Sequence, residues 1–366
     1  MTFLMYGSPD GSPDLFHTIP TPIIDPFLYI ESNGRRGATV TMLDAHKLSP
    51  YGVETIDPYD LGVDELFARG ITREQVELEL CLRACERFGV RSAAVPSDFP
   101  VGVADHLRGA GIELTVDPEA FVTRRREKTD AEIAGIRRAQ TAADAAMAVG
   151  AELIHELRAG LTSEEIRGAM QAVCDEHGCD LPDDAIVSHG PQGAIGHEAG
   201  YGELAAGEPV IVDIWPRDRA SRCWADMTRT FVAGGVEPPS ELKRWWELTR
   251  ESLEASFAAV HAGADGQAVY GVSCEPFEAA GLPTQRSKPA GEKLEEGYYH
   301  SLGHGVGLEV HERPNLGRTP DTLIAGDVIT LEPGCYRKDL GGVRLEDLVL
   351  VTDSGAELLT DFPYDL

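Results

Sequence analysis

Tyr299-His300-Ser301-Leu302-Gly303-His304-Gly305-Val306-Gly307-Leu308-Glu309-Val310-His311-Glu312 holds three histidines and three glycines. A lone histidine is most often structural, whereas three wrapped around a Gly-His-Gly-x-Gly core form a sharper pattern. Glycine lets backbone approach a crowded site or take positive φ. A neutral imidazole offers a nitrogen ligand to a divalent ion.

Outward from this stretch, acidic residues stand at the ends of predicted strands. Leu331-Glu332-Pro333-Gly334 closes one strand, Val328–Leu331, in Glu332 and a turn. Gly341-Gly342-Val343-Arg344-Leu345-Glu346-Asp347 puts Glu346 in a strand after a Gly-Gly turn, and its spacing from Glu332 suits a hairpin with one carboxylate on each arm. Upstream, the apolar strand Pro209–Trp215 carries Asp213, and Asp226 lies in a strand over Trp224–Val232. Their spacing predicts that they come opposite each other on one face of a hairpin whose tip is near Arg219-Ala220. Asp218 competes for the first role but falls in the turn. Taken singly, each acid reads as surface charge. Carboxylates that face one another repel unless a cation sits between them. Two Asp, one His and two Glu form an oxygen-rich set with one nitrogen, suited to two Mn²⁺, Co²⁺, Zn²⁺ or Fe²⁺ ions.

The chain has 366 residues, enough for about two domains at roughly 150 residues each. Its 32 Lys+Arg against 61 Asp+Glu give a net charge of −29. A field of that sign repels phosphate backbones and anionic lipid, so nucleic acid and acidic membranes are poor partners and divalent cations good ones. No window approaches the ~18 apolar residues of a membrane span, and residues 1–9 lack a secretory signal pattern, which points to a cytoplasmic protein. Seven cysteines include no C-x-x-C pair, so buried free thiols are expected rather than disulfides or structural zinc.

The first third reads as a small α/β unit. Strands are predicted over 27–30 and 38–43 on either side of Ser32-Asn33-Gly34, then a helix over 73–88, a strand over 90–95, a short helix including 105–108 and a strand over 111–116. Arg124-Arg125-Arg126-Glu127-Lys128 reads as a solvated linker at a boundary between domains 1–124 and 125–366. Helices follow over 130–157 and 166–177, the second behind a capping-box pattern at Thr162–Glu165. From 185 onward, short strands (185–188, 348–351 and those above) surround helices over about 240–261 and 265–280. The whole is α+β.

The ordered set D…D-x-T-R-T…G-H-G-x-G-L-x-x-H-E…E-P-G…G-G-V-R-x-E-D resembles that of the pita-bread metallopeptidases, specifically the prolidase and aminopeptidase P branch. The resemblance covers residues 122–366, and residues 1–121 look like the smaller creatinase-type N-terminal domain of that branch. It implies that Asp213 chelates one metal, that Asp226 and Glu346 bridge two, and that His304 and Glu332 complete the other. Mn²⁺ is the first expectation, with Co²⁺, Zn²⁺ or Fe²⁺ as alternatives. It places His197 near the scissile peptide, His300 and His311 on the substrate side, Arg344 beside the last ligand and Asp347 in support. It also implies small proline-containing peptides as substrates and a homodimer. Relatives read D-x-G after the first ligand, whereas here Asp213-Ile214-Trp215-Pro216 stands, and the Asp213–Asp226 spacing is two residues longer than usual.

The implied reaction is hydrolysis of the bond before proline, with Glu332 shuttling the proton and His311 stabilising the oxyanion. Xaa-Pro dipeptidase and Xaa-Pro aminopeptidase both fit. A non-catalytic binding protein and a metal-free creatinase-like hydrolase are the alternatives, and both should lack ligands that are present here. Methionyl aminopeptidase is disfavoured by the N-terminal domain and by Arg344-Leu345-Glu346.

Overall fold

The structure is a computed structural model describing residues 1–366, and it divides into two compact units, Met1–Arg125 and Arg126–Leu366. In the first, six strands form one mixed sheet in the order β4-β3-β2-β1-β5-β6, with β1 Phe3–Gly7, β2 Phe27–Ser32, β3 Arg35–Ala38, β4 Glu54–Thr55, β5 Ser92–Val95 and β6 Glu113–Val116. Its helices are α1 Pro13–Thr18, α2 Ala45–Leu48, α3 Val63–Ala68, α4 Arg73–Arg87 and α5 Val101–Gly109, with α6 Pro118–Arg126 running to the boundary. The sheet is buried on both faces, which is why Phe27-Leu28-Tyr29-Ile30 reads as a continuous apolar run. Leu28 and Ile30 join the core under α4, while Phe27 and Tyr29 join the core beside α1.

The strand expected over 38–43 lies instead at Arg35–Ala38. Asn33 (φ 52°) and Gly34 (φ 75°) form a two-residue turn of the type in which both positions are left-handed, so the return strand begins at once, with Ser32 opposite Arg35. Beyond Ala38 the chain turns away, the amides of Asp44 and Ala45 both donating to Thr41 O at 3.1 Å. Residues 124–126 are likewise no linker. They form the last turn of α6, where Arg124 pairs with Glu31 at 2.6 Å and Arg125 with Asp14 at 2.9 Å. Arg126 is buried, and its Nε donates to Asp327 Oδ1 at 2.8 Å.

In the second unit, α7 Asp130–His155 starts in a full capping box: Thr129 Oγ1 accepts from the Glu132 amide and Glu132 Oε2 from the Thr129 amide. Helix α8 Ser163–Glu176 has half of one. Thr162 Oγ1 accepts from the Glu165 amide, but the Glu165 carboxylate turns to Arg158. A ribbon pairs β7 Cys179–Asp180 with β10 Arg217–Asp218. The sheet of β8 Ile186–His189, β9 Pro209–Ile214 and β11 Met227–Val232 packs beneath α7. Helices α9 Ser240–Ala259 and α10 Gly266–Ala279 pack together over a second sheet in the order β13-β12-β14-β17-β18. That sheet comprises β12 Gly303–Gly305, β13 Glu312–Leu316, β14 Val328–Leu331, β17 Asp347–Thr352 and β18 Gly355–Leu358, and β15 Gly334–Arg337 with β16 Gly341–Arg344 form a ribbon beside it. A single bridge between Thr228 and Glu346 joins the two sheets. All seven cysteines are free and buried, and no helix is long and apolar enough to cross a membrane.

Candidate functional site

The seam between the two sheets gathers the acids. In the β9–β11 ladder Asp213 pairs with Thr228 rather than with Asp226, correcting the expected register. Asp226 precedes Thr228 by two residues, so it shares that face and sits diagonal to Asp213. The strand also begins later than expected, at Met227, because residues 217–224 make their own structure: Arg217 and Asp218 pair with β7, and the Asp218 amide donates to Cys223 O. Asp218 itself is committed to Arg138 (2.8 Å) and Ser221 (2.6 Å), away from the seam.

Glu332 and Glu346 occupy the gap between two ladders in common register. Leu331 pairs with Asp347 on one side and Gly334 with Arg344 on the other, so the two glutamates face each other. His304 is carried on β12 between two glycines that the packing requires. A Cβ on Gly303 would lie 2.1 Å from Thr330 O, and one on Gly305 2.3 Å from Arg313 O. Close approach, not positive φ, explains these glycines.

His304 Nδ1 lies 3.0 Å from Gly305 O. A carbonyl only accepts, so Nδ1 carries the proton and the Nε2 lone pair faces the acids, 3.8 Å from both Asp226 Oδ2 and Glu332 Oε1. Asp226, His304 and Glu346 each offer a ligand atom, all within 4.8 Å of one another. Asp213 Oδ2 accepts from Arg344 Nη2 at 2.6 Å, whereas its buried Oδ1 has no hydrogen-bond partner. An orphaned buried carboxylate oxygen beside this cluster fits a divalent cation.

The electrostatics agree. Burial, then the charges of Glu346, Asp213 and Glu332, push the Asp226 carboxyl well above its ordinary range. Burial and Glu346 do the same to Glu332. Burial and Asp213 raise Glu346 to about 8, even though the Thr228 hydroxyl hydrogen-bonds its carboxylate. Acids that resist ionisation in one another's presence are what bound divalent charge would relieve. Burial and neighbouring His311 bring His304 down to about 4, leaving it neutral.

His300 lies beside this cluster and is fully engaged by protein. Nδ1 contacts Ser301 O at 2.8 Å and Nε2 contacts the Tyr336 hydroxyl at 2.9 Å. Burial and the Arg344 charge push it to about 3, so neutral His300 accepts from Tyr336, which in turn accepts from Arg344 Nη1 at 3.0 Å. The expectation of a substrate-side His300 therefore meets a ring whose two nitrogens already have partners. Buried Arg344 ties this chain to Asp213 and, through Nε at 3.3 Å, to Thr228. His311 is exposed, its ring edge-on to His304 at 4.3 Å, and burial with the His197 charge holds it below the ordinary histidine value. His197 is exposed and acts electrostatically on both His300 and His311. Trp215 packs with Ile186, Ile211, Tyr299 and Tyr336. Tyr336 lies outside the quoted motifs, and Thr228 stands in D-x-T-R-T with no role assigned to it. Their only sequence signals are Tyr336's place just after Glu332-Pro333-Gly334 and Thr228's after Asp226.

Residues 134–353 match the model of metallopeptidase family M24. The Xaa-Pro dipeptidase of Pyrococcus horikoshii is 31% identical over 277 residues, 74% of this chain and 74% of that relative. That of Pyrococcus furiosus is 34% identical over 236 residues, 64% of this chain and 62% of that relative. Among solved structures, the prolidase from P. horikoshii superposes with a TM-score of 0.79 at 24% identity, covering 100% of this chain and 95% of that one. The likeness shows the α+β, two-domain fold.

Proposed function

The chain belongs to metallopeptidase family M24, and on that premise we propose that it is an Xaa-Pro dipeptidase, hydrolysing the bond before proline in small peptides. The observation that carries the proposal is the meeting of Asp226, His304 and Glu346, with the His304 lone pair turned toward the acids and Asp213 and Glu332 alongside. Asp213, Asp226, His304, Glu332 and Glu346 would hold two divalent ions, with Mn²⁺ favoured by the predominance of oxygen donors. Bound there, such ions supply positive charge that acidifies water for attack and polarises the peptide carbonyl.

The chain's own groups do the rest. Glu332, whose carboxyl burial and Glu346 push upward, can take a proton at Oε1 or Oε2 and return it to the leaving nitrogen. Proline's nitrogen is a poor leaving group until protonated, so this transfer is required of an Xaa-Pro peptidase. His311 would donate to the substrate carbonyl and His197 would position the peptide, a reading supported by the exposure of both rings and by their mutual electrostatic influence. Arg344 is held by Asp213 and Tyr336 and serves to orient the first ligand.

The test compares an Xaa-Pro dipeptide with an Xaa-Pro-Yaa tripeptide, with Mn²⁺ or Co²⁺ supplied, for the wild type and Glu332→Gln. Dipeptide turnover that Glu332→Gln abolishes without loss of fold is expected. Tripeptide turnover alone would reassign the chain as an Xaa-Pro aminopeptidase. Xaa-Ala turnover without Xaa-Pro, or near-normal activity of Glu332→Gln, would overturn the proposal.

A further inference from the structure

Arg229, next to Thr228 on β11, is 1% exposed, and its five N–H groups make five bonds. Nη1 donates to Thr228 O (3.0 Å) and Glu346 O (2.7 Å). Nη2 donates to Asp347 Oδ1 (3.0 Å) and Phe362 O (3.0 Å), and Nε to Pro363 O (3.1 Å). One planar group thus joins the strand that follows Asp226, the Glu346–Asp347 pair and a segment near residue 362 that has no regular structure of its own.

That segment is anchored further. The Leu348 amide donates to Thr360 Oγ1 at 2.9 Å, and the Tyr364 hydroxyl donates to Asp347 Oδ2. The Arg250 guanidinium lies 3.6 Å from the Tyr364 ring centroid, and the Phe362 ring stands edge-on to Phe231. Glu346 falls in the break between β16 and β17, so ladder pairing within its own hairpin does not order it. Its main chain is set by Thr228 and Arg229, and Arg229 is set by carbonyls of the segment. If the segment lifts, two buried N–H groups lose their acceptors and Asp347 loses a donor, a penalty relieved only by moving the guanidinium that holds Glu346.

We infer that Phe362–Tyr364 is a positioning segment for Glu346, so that its seating on Arg229 and Asp347 is coupled to divalent-metal binding. This rests on the metal reading above. Coupling of two equilibria is reciprocal: the seated segment tightens metal binding, and metal tightens the seat.

The experiment uses the full chain without substrate, with Mn²⁺ for affinity and exchange and Co²⁺ for the absorption spectrum. Hydrogen exchange is followed at the amides of Asp361, Phe362 and Tyr364 with and without Mn²⁺, and Mn²⁺ affinity is measured by calorimetry for wild type, Tyr364→Phe and Tyr364→Ala. Tyr364→Phe keeps the ring under Arg250 and removes only the hydroxyl. Expected are slower exchange of these amides with Mn²⁺ in the wild type, and Mn²⁺ binding weakened by about tenfold in Tyr364→Phe and more in Tyr364→Ala. The Co²⁺ absorption spectrum should change in both variants, which a purely structural role would not produce. Tight Mn²⁺ binding by the wild type with unchanged exchange, and variant affinities within about twofold, would overturn the coupling. A wild type that binds no Mn²⁺ would instead overturn the metal reading itself.

Discussion

Thr228 holds Glu346 at two points. Its carbonyl accepts from the Glu346 amide at 3.0 Å, and its hydroxyl donates to Glu346 Oε2 at 2.7 Å. Because Thr228 is also the cross-strand partner of Asp213, one residue sets the two carboxylates on either side of the seam against each other, Glu346 through its hydroxyl and carbonyl and Asp213 through the ladder register. Valine matches threonine in shape but cannot donate. Thr228→Val should cost ~1–3 kcal/mol of stability through the unpaired buried carboxylate oxygen, and ~10–100-fold in Mn²⁺ affinity. Denaturant melts and calorimetry check both numbers, and Thr228→Ser should recover most of each.

Metal-free stability should depend on pH in a defined sense. Glu346 is raised from 4.5 to about 8, so the folded state binds more protons than the unfolded chain in that window. Stability therefore falls as pH rises through it. His300 and His304 are lowered from 6.5 to about 3 and about 4, and they act oppositely below pH 6.5. The uncompensated fall lies between about pH 6.5 and 8. In EDTA, Tm should drop across that interval, and saturating Mn²⁺ should flatten the slope. A metal-free Tm that rises from pH 6.5 to 8 would contradict the assignment.

Glycine at 305 is needed for contact. Gly305→Ala would set a Cβ 2.3 Å from Arg313 O, backbone that cannot swing aside, and β12 would shift with His304 on it. Metal affinity and activity should both fall at least ~10-fold. Gly355→Ala is the control: a Cβ there meets nothing within 4 Å, so its effect should stay within about 0.5 kcal/mol.

Arg126→Met tests the buried ion pair at the start of the second unit. Asp327 is 0% exposed and takes both Nε and Nη2 of Arg126. Removing the arginine strands a buried carboxylate, which should cost ~3–5 kcal/mol in urea melts. The exposed Arg137–Glu357 pair offers the contrast, and Arg137→Met should cost no more than ~1 kcal/mol.

That arginine also shows where the sequence misleads. Three arginines followed by Glu127-Lys128 carry the composition of a solvated connector, and nothing local reveals that a carboxylate 201 residues away will bury one of them. The strand over 38–43 failed differently. Asn33-Gly34 reads as a turn, but its two-residue geometry starts the return strand at Arg35, before the apolar run. Full capping at Thr129 and half capping at Thr162 look alike in sequence, because a nearby arginine decides which way the glutamate turns.

The order and spacing of residues by themselves grouped Asp213, Asp226, Glu332 and Glu346 with one histidine of the 300–311 stretch and pointed to an α+β chain with strand-borne acids, while the choice of His304 among the three histidines is what the family resemblance implies. Strand ends, glycines and turns are local, and each leaves a mark within a few residues. The register that puts Asp213 against Thr228 instead of Asp226 was decided only in three dimensions. So were the tautomer that turns His304 Nε2 toward the acids, the Tyr336 that occupies His300 and the Arg229 fork that reaches Phe362. These depend on hydrogen-bond partners far apart in the chain, and a buried donor finds its acceptor wherever packing brings one.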